Sequence, residues 1–306
     1  MTRFAAAVII AATFWTAQAA AFTGTFASWR APEPDLMEEF IPFAEGATDV
    51  ISHVRWDTLL ETYLVVRNGE PNLFRYAAVN DADKQLLDEY IANLQSVGIS
   101  LFDRPEQKAY WINLYNALTV KTVLDHYPVN SIREINISPG LFSAGPWGAK
   151  QVTVEGVELS LDDIEHRILR PIWEDNRIHY VLNCAALGCP DLWPVAVNPD
   201  NLERILDQAA FNFINLEHGV KFDGGRMTVS KIYEWYDEDF GGSDEGVIAH
   251  LMEYGRGPLQ RDIQRRVGLV KTDYDWWLND ADQSRNPKSR LSQTSETRSL
   301  YDPVRK

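Results

Sequence analysis

The two cysteines, Cys184 and Cys189, are the most reactive side chains of this sequence, which contains no other cysteine. Such a close pair is typical of a disulfide in an exported protein. Alternatively, Cys189 is a free nucleophile, because Gly188 lets a substrate approach closely and Pro190 suits the start of a helix. A helix start would lower the pKa of the thiol. The spacing leaves both interpretations open.

A helix beginning at Ser160 precedes the cysteines and carries an acid and a histidine. Ser160 is a good N-cap with Asp163 able to reach back to it, so Asp162 and Asp163 are interpreted mainly as capping residues. Glu165 falls on the apolar stripe of this helix, so its carboxylate must be paired, protonated or functional. His166 lies on another face, so these two neighbours do not form a dyad.

Pro171 is expected to end that helix, and a short apolar strand is predicted at 178–182. Arg177 and His179 flank the start of the strand, where alternation places both side chains on one face. An ion pair between Arg177 and Glu165 is the simplest structural interpretation. His179 is either a structural hydrogen-bond donor or, like His166, a base that activates the thiol.

A long helix predicted from Pro105 to Tyr127 is apolar around nearly its whole circumference, which indicates a buried helix. Asn113 and Asn116 lie three residues apart on one face of it. A buried amide without partners costs about 1–3 kcal/mol. The two amides therefore either bond to neighbouring loop backbone or face a cleft and orient a ligand or a catalytic ring.

The remaining elements are helices and short hairpins. The sequence predicts hairpins at 151–159 and 220–230 and helices at 53–66, 81–98, 199–217, 231–240, 244–254 and 259–267. This pattern predicts an α+β fold: a single compact domain of helices with short hairpins, a short central strand and one largely buried central helix.

The chain ends are expected to differ from the domain between them. Residues 1–19, or 1–21, are interpreted as a signal peptide, 20–48 as an N-terminal arm, 49–280 as one globular domain and 281–306 as a disordered basic tail. We therefore expect a periplasmic or secreted protein with no stable membrane insertion after signal cleavage. The formal net charge of −15 makes nucleic acid a poor partner.

Five segments occur in an order that resembles the domain-of-unknown-function family 547. They are YWINLYNALTVKTVL, LSLDDIEHRILRP, NRIHYVLNCAALGCPDL, KIYEWYDEDFG and YDWWLND. The resemblance extends from about Leu59 to Asp280 and implies a site but no agreed activity. The residues that match the family motifs are Asn113, Asn116, Glu165, His166, Arg177, His179, Cys189 and Pro190. Cys184 matches a more variable position of the family motif, which favours Cys189 as the functional thiol.

The preferred functional hypothesis is a cysteine-dependent hydrolase or acyl transferase acting on a small-molecule or peptide ligand. Its members would be Cys189 as nucleophile, His179 or His166 as base, and Asn113, Asn116 or Glu165 as the orienting group. These partners all precede the cysteine, unlike the order in papain-like enzymes. The cysteines and histidines lack finger-like spacing, so neither a metal nor a cofactor is predicted.

Two other functions stay open. In the first, the protein is a non-catalytic binding or assembly module of the cell envelope, with Glu165, Arg177 and His179 as a structural polar network. In the second, the cysteines carry out thiol–disulfide exchange, although their spacing lacks the tight C-x-x-C geometry. Asp239 is expected near the site, paired with Arg177 or Lys231.

Overall fold

The computed structural model describes residue 32 and residues 34–140, 145–266 and 271–283. The predicted signal peptide, residues 20–31 of the predicted arm and nearly all of the predicted tail lie outside these residues. The described part has the predicted α+β class, with helices surrounding one core and three small sheets. No helix in this part of the chain has the length and apolarity needed to cross a bilayer.

Most of the described chain is helical. The α-helices are α1 Val54–Tyr63, α2 Asp81–Gln95, α3 Arg104–His126, α4 Arg170–Trp173, α5 Leu202–Ile214, α6 Ile232–Trp235, α7 Asp244–Tyr254 and α8 Gly257–Arg265. A π-helix, Asp163–Leu169, runs directly into α4. Short 3₁₀ helices occupy Glu38–Phe40, Tyr76–Ala78, Ile99–Leu101, Ile132–Glu134, Asn176–Tyr180 and Asp237–Phe240.

The sheets are small and mostly antiparallel. Their strands are β1 Leu64–Val65, β2 Leu73–Phe74, β3 Val152–Val154, β4 Val157–Leu159, β5 Val220–Asp223, β6 Arg226–Ser230 and β7 Lys271–Asp273. The strand pairs β1–β2, β3–β4 and β5–β6 are antiparallel, and β7 adds to β6 in parallel. Both predicted hairpins are confirmed, with positive φ angles in the turns at Glu155–Gly156 and Gly224–Gly225.

The predicted central helix is α3, and it is buried along nearly its whole length, as its all-round apolar sequence indicates. Pro105 occupies its first turn, where a missing N–H costs no helical bond. Trp111 contacts Phe40 of the N-terminal arm edge-to-face, with ring centroids 5.0 Å apart. Helix α2 and the π-helix both pack against α3. Helix α3 therefore fixes the position of the π-helix.

The predicted strand at 178–182 is wrong, because the chain forms the 3₁₀ helix Asn176–Tyr180 there. The Asp175 side chain accepts the N–H of Arg177 at 3.0 Å and so starts a tight turn. Such local capping competes with an extended conformation when no partner strand is available. Arg177 and His179 therefore do not alternate along a strand.

Pro171 does not end its helix, which continues through α4 to Glu174 in the left-handed conformation. A proline lacks the N–H that would bond one turn back, which leaves carbonyls of the preceding turn without a donor. The arm supplies the missing donors: Asp35 N–H bonds the carbonyl of His166 at 3.2 Å, and Met37 N–H bonds that of Arg167 at 3.0 Å. A long-range backbone contact thus lets the helix pass a proline.

Candidate functional site

The sulfur atoms of Cys184 and Cys189 lie 2.7 Å apart, and both cysteines are free thiols. A disulfide needs about 2.05 Å, so an oxidant that takes two electrons from the pair would require only a small movement of the sulfurs to close the bond. Cys184 is half-buried, whereas Cys189 is only 4% exposed. The backbone N–H of Cys184 also donates to the Cys189 sulfur at 2.8 Å. The cysteine loop, residues 183–190, therefore brings the two thiols into direct contact.

The pKa of Cys189 differs from the sequence expectation. No helix begins at Pro190, since the next helix, α5, starts at Leu202. The expected helix dipole is therefore missing, and burial, together with the neighbouring Cys184, raises the pKa of the Cys189 thiol well above its usual range. Cys189 is thus held as a thiol at neutral pH, which corrects the prediction of a lowered pKa.

The segment 274–279 positions the cysteine loop, a role that the sequence interpretation missed. Gly188 N–H bonds the carbonyl of Asp275 at 2.9 Å, and Leu187 N–H bonds that of Trp277 at 2.8 Å. The hydroxyl of Tyr274 lies 2.9 Å from the sulfur of Cys184. The YDWWLND motif was the available signal, but irregular backbone pairing leaves no periodicity that would place it beside the cysteines.

Gly188 is required by this close packing, because a Cβ at that position would lie 2.6 Å from the backbone nitrogen of Asp275. We expect Gly188→Ala to lower the free energy of unfolding by about 1–3 kcal/mol, the usual cost of overpacking. Gly98→Ala is the matched control, since its Cβ would meet Leu101 at an ordinary 3.4 Å. Denaturant unfolding of both variants checks this, and equal effects would contradict it.

His179 is bound between two carboxylates rather than to a thiol. Its Nε2 lies 2.6 Å from Asp239 Oδ2, and its Nδ1 lies 3.6 Å from Glu165 Oε1. The ring of Tyr236 stacks on the imidazole with centroids 4.0 Å apart. Burial alone would lower the pKa of His179, but the hydrogen bond to Asp239 and the Glu165 carboxylate outweigh it and raise that pKa.

Arg170 completes this polar network. Its guanidinium forms two bonds with the carboxylate of Asp239, at 2.7 and 3.0 Å. Burial alone would raise the pKa of Asp239, yet His179 and Arg170 together hold it well below the usual range. Burial would likewise raise the pKa of Glu165, but His166 and His179 hold it at about 2. The prediction that Asp239 pairs with Arg177 or Lys231 is therefore wrong.

His166 takes a different position from His179. Its Nδ1 lies 3.3 Å from Arg170 Nη1, and its Nε2 lies 3.7 Å from Asp162, as the helical spacing predicts. Burial lowers the pKa of His166 to about 4, so the ring is neutral at neutral pH. Within the described residues, the polar contacts of His166 and His179 go to these groups and to none of the sulfur atoms.

Arg177 points away from Glu165, so the predicted ion pair between them is wrong. Its guanidinium bonds Asp175 at 2.9 and 2.8 Å and also contacts Glu203 and Asp207 on α5. The turn at Asp175 directs the side chain toward α5 instead of toward the π-helix. Arg177 therefore joins two helical segments at the surface.

Asn113 and Asn116 both bond to loop backbone. Asn113 donates to the carbonyl of Val197 at 2.7 Å and accepts its N–H at 3.0 Å. Asn116 donates to the carbonyl of Val181 at 2.8 Å and accepts the N–H of Asn183 at 2.8 Å. Of the two roles considered for these amides, bonding to loop backbone is the one observed. Asn116 thereby anchors Asn183, the residue that precedes Cys184.

The capping prediction is confirmed for Ser160 and Asp163 but not for Asp162, whose side chain makes no capping hydrogen bond. Asp163 accepts the N–H of Ser160 at 2.7 Å, and Ser160 Oγ accepts the N–H of Asp163 at 3.2 Å. Asp162 is different, because burial and the nearby Glu165 raise the pKa of its carboxyl to about 7. No cluster of three or more potential metal ligands occurs among the residues that the structure describes.

Comparison with known proteins places this site within a family. Residues 99–214 match the model of a family described as "Protein of unknown function, DUF547". No curated protein and no solved structure matches the chain. The matched region contains α3, the π-helix, the 3₁₀ helix that carries His179, the cysteine loop and α5. The match over residues 99–214 thereby confirms the resemblance to the DUF547 family that the sequence motifs indicate.

Proposed function

We propose that this protein carries out thiol–disulfide exchange through Cys184 and Cys189. The observation that supports the proposal is the 2.7 Å separation of the two sulfurs, one half-buried and the other buried. Reactive thiols are found at partly exposed positions, and a second thiol within reach can resolve a mixed disulfide. The substrate is a disulfide of another molecule.

The two cysteines have different roles in this reaction. The thiolate of Cys184 attacks one sulfur of the partner disulfide, which forms a mixed disulfide and releases the other sulfur as a thiol. The thiolate of Cys189 then attacks the Cys184 sulfur, closes the intramolecular disulfide and releases the second partner thiol. The protein is oxidised by two electrons, the partner disulfide is reduced by two, and the two cysteine protons end on the partner thiols.

The contacts of Cys189 favour its role in the second step. Its pKa is raised by burial and by the adjacent Cys184, but the mixed disulfide removes any negative charge from Cys184. The backbone N–H of Cys184, 2.8 Å from the Cys189 sulfur, remains as a donor that stabilises the thiolate. The resolving thiol therefore becomes easier to ionise once the mixed disulfide exists.

Thiol–disulfide exchange has more support than the hydrolase hypothesis because Cys189 contacts a second thiol and neither of the two candidate histidines. A hydrolase needs a base at the nucleophile, and the polar contacts of His166 and His179 go to Asp162, Glu165, Arg170 and Asp239. The export that the sequence predicts would also place the chain where disulfides form. The hydrolase and the binding module stay predictions.

The test uses the purified reduced protein with oxidised glutathione, followed by mass spectrometry. We expect the wild-type protein to form the intramolecular disulfide, and Cys189→Ser to stop at a glutathione adduct on Cys184. Cys184→Ser should form an adduct at no more than about one tenth of the wild-type rate, since its remaining thiol is buried. The two serine variants are each other's control because they differ only in which thiol remains.

Two outcomes would contradict the proposal. The first is a wild-type protein that keeps two free thiols in excess oxidised glutathione. The second is a glutathione adduct that forms on Cys189 at the wild-type rate in Cys184→Ser. In a hydrolase the pattern of variants is reversed, since Cys189→Ser would abolish acyl transfer and Cys184→Ser would retain it.

A further inference from the structure

Four aromatic rings form a cluster beside the cysteine loop, which we call the aromatic platform: Trp147, Trp235, Tyr274 and Trp276. Neighbouring ring centroids lie 4.6 to 5.8 Å apart. All four side chains are partly buried and pack on the edge of the core rather than inside it. The platform therefore combines a large apolar area with access to solvent.

The platform is continuous with the reactive thiol. Tyr274 belongs to the platform, and its hydroxyl lies 2.9 Å from the sulfur of Cys184. The backbone of the same segment is bonded to the cysteine loop at Gly188 and Leu187. A molecule whose disulfide reaches Cys184 therefore comes close to Tyr274, which packs against Trp235 and Trp276.

The platform already holds one cation. The guanidinium of Arg133, an exposed residue, lies 5.2 Å from the centroid of Trp276, within the range of a cation–π contact. Its position shows that the face of Trp276 is presented to a positive charge that reaches it from the surface.

Acidic residues outnumber basic ones in the two segments of chain, 231–240 and 271–276, that carry Trp235, Tyr274 and Trp276. Asp273 and Asp275 flank Tyr274 and are exposed, and Glu238 is exposed beyond Trp235. The positive side chains in these two segments are Lys231 and Lys271, and the chain as a whole carries a formal charge of −15. Aromatic faces within an acidic surround favour cationic ligands over anionic ones.

We propose that the aromatic platform docks an arginine- or lysine-bearing segment of the polypeptide whose disulfide exchanges with Cys184. This inference rests on the proposed thiol–disulfide exchange and names its substrate class. The partner's cation lies over the platform rings, its charge faces the acidic surround, and its disulfide is thereby directed at the half-buried sulfur.

The test compares two peptides that carry the same cysteine as a mixed disulfide with 2-mercaptoethanol, flanked by arginine in one and glutamate in the other. We expect the reduced protein to react with the arginine peptide about tenfold faster, with the difference shrinking at high salt. Trp276→Ala should remove most of the difference, whereas Trp277→Ala, whose side chain is 48% exposed and outside the platform, should keep it.

Arg133→Ala provides a second variant that does not depend on removing a packed ring. It frees the face of Trp276 and removes a positive charge, so we expect the arginine peptide to react several-fold faster than with the wild-type protein. The rate with uncharged 2-hydroxyethyl disulfide, which has no charge for the platform to bind, measures the general reactivity of the thiol in each variant, and each peptide rate is divided by it.

The two proposals fail in different ways. Equal rates for the arginine and glutamate peptides, with 2-hydroxyethyl disulfide still reactive, would overturn the docking inference and leave the exchange reaction standing. If no disulfide reacts, the exchange reaction fails. Docking is then measured with S-methylated peptides by tryptophan fluorescence, where a preference for arginine supports docking and equal binding overturns it.

Discussion

Replacement of Arg170 by methionine is expected to lower the free energy of unfolding by about 3–5 kcal/mol, because it removes a buried cation and leaves the partly buried carboxylate of Asp239 without its two-bonded partner. The Arg170 side chain is 3% exposed and forms two bonds with Asp239. Its Nη1 also donates to the carbonyl of Pro32 at 2.6 Å, and its guanidinium lies 5.2 Å from the ring of Tyr236. Methionine keeps much of the volume and removes every one of these polar contacts.

Arg177→Met is the matched control for this variant. Arg177 is 21% exposed, and two of its partners, Glu203 and Asp207, are more than half exposed. Its third partner, Asp175, keeps a bond to Lys108 at 2.6 Å. Surface ion pairs contribute about 0–1 kcal/mol, so we expect a loss of about that size. Denaturant unfolding under reducing conditions measures both, and similar losses would show that burial does not control the energy of this network.

Replacement of His179 by glutamine is expected to lower the free energy of unfolding by about 3 kcal/mol near pH 6, since the buried Glu165 and the partly buried Asp239 lose the cation between them. Burial lowers the pKa of His179, but the hydrogen bond to Asp239 and the nearby carboxylate of Glu165 outweigh it and raise that pKa in the folded protein. A raised pKa means that the stabilisation is complete below the unfolded value of about 6.5 and disappears as the pH rises through the folded value. The difference between wild type and variant should therefore shrink toward alkaline pH.

His250→Gln is the control, because the stabilisation from His250 is expected to change with pH in the opposite direction. His250 is buried and bonds the hydroxyl of Tyr180 at 2.7 Å, and burial lowers its pKa to about 4. Its contribution is complete above pH 6.5 and falls as the pH drops toward 4, by about 1.4 kcal/mol per pKa unit. Unfolding curves from pH 5 to 9 check both variants. Parallel pH profiles for the two would contradict the assignment of a charged His179 and a neutral His250.

The elements that were predicted correctly carry their signal in consecutive residues. Helix α3 is apolar on nearly all sides and has a proline in its first turn, and both hairpins have glycine at the turn. The capping box of Ser160 and Asp163 spans three positions. Such patterns need no knowledge of the remaining fold, because the local chain determines them.

The parts that were predicted wrongly depend on distant partners. Asp239 meets His179 and Arg170 across more than fifty residues of chain, and neither spacing nor periodicity encodes that meeting. The apolar run at 178–182 lacks a partner strand, so the turn at Asp175 decides its conformation. The rings beside Cys184 come from a segment ninety positions away. The motifs predicted many members of the site but not Arg170 or Tyr274, and tertiary contacts determine how all of these members are paired.

The arm that bonds the helix at Pro171 has a consequence for the order of folding. Pro32 and Arg170 are 138 positions apart, so the arm leaves the ribosome long before the carbonyls that it serves. Closing so long a loop is slow relative to forming local helices. The arm therefore docks late, and until it does the carbonyls of His166 and Arg167 are hydrated. Because of Pro171, one of the last steps expected in folding therefore uses a segment that is synthesised well before the helix it completes.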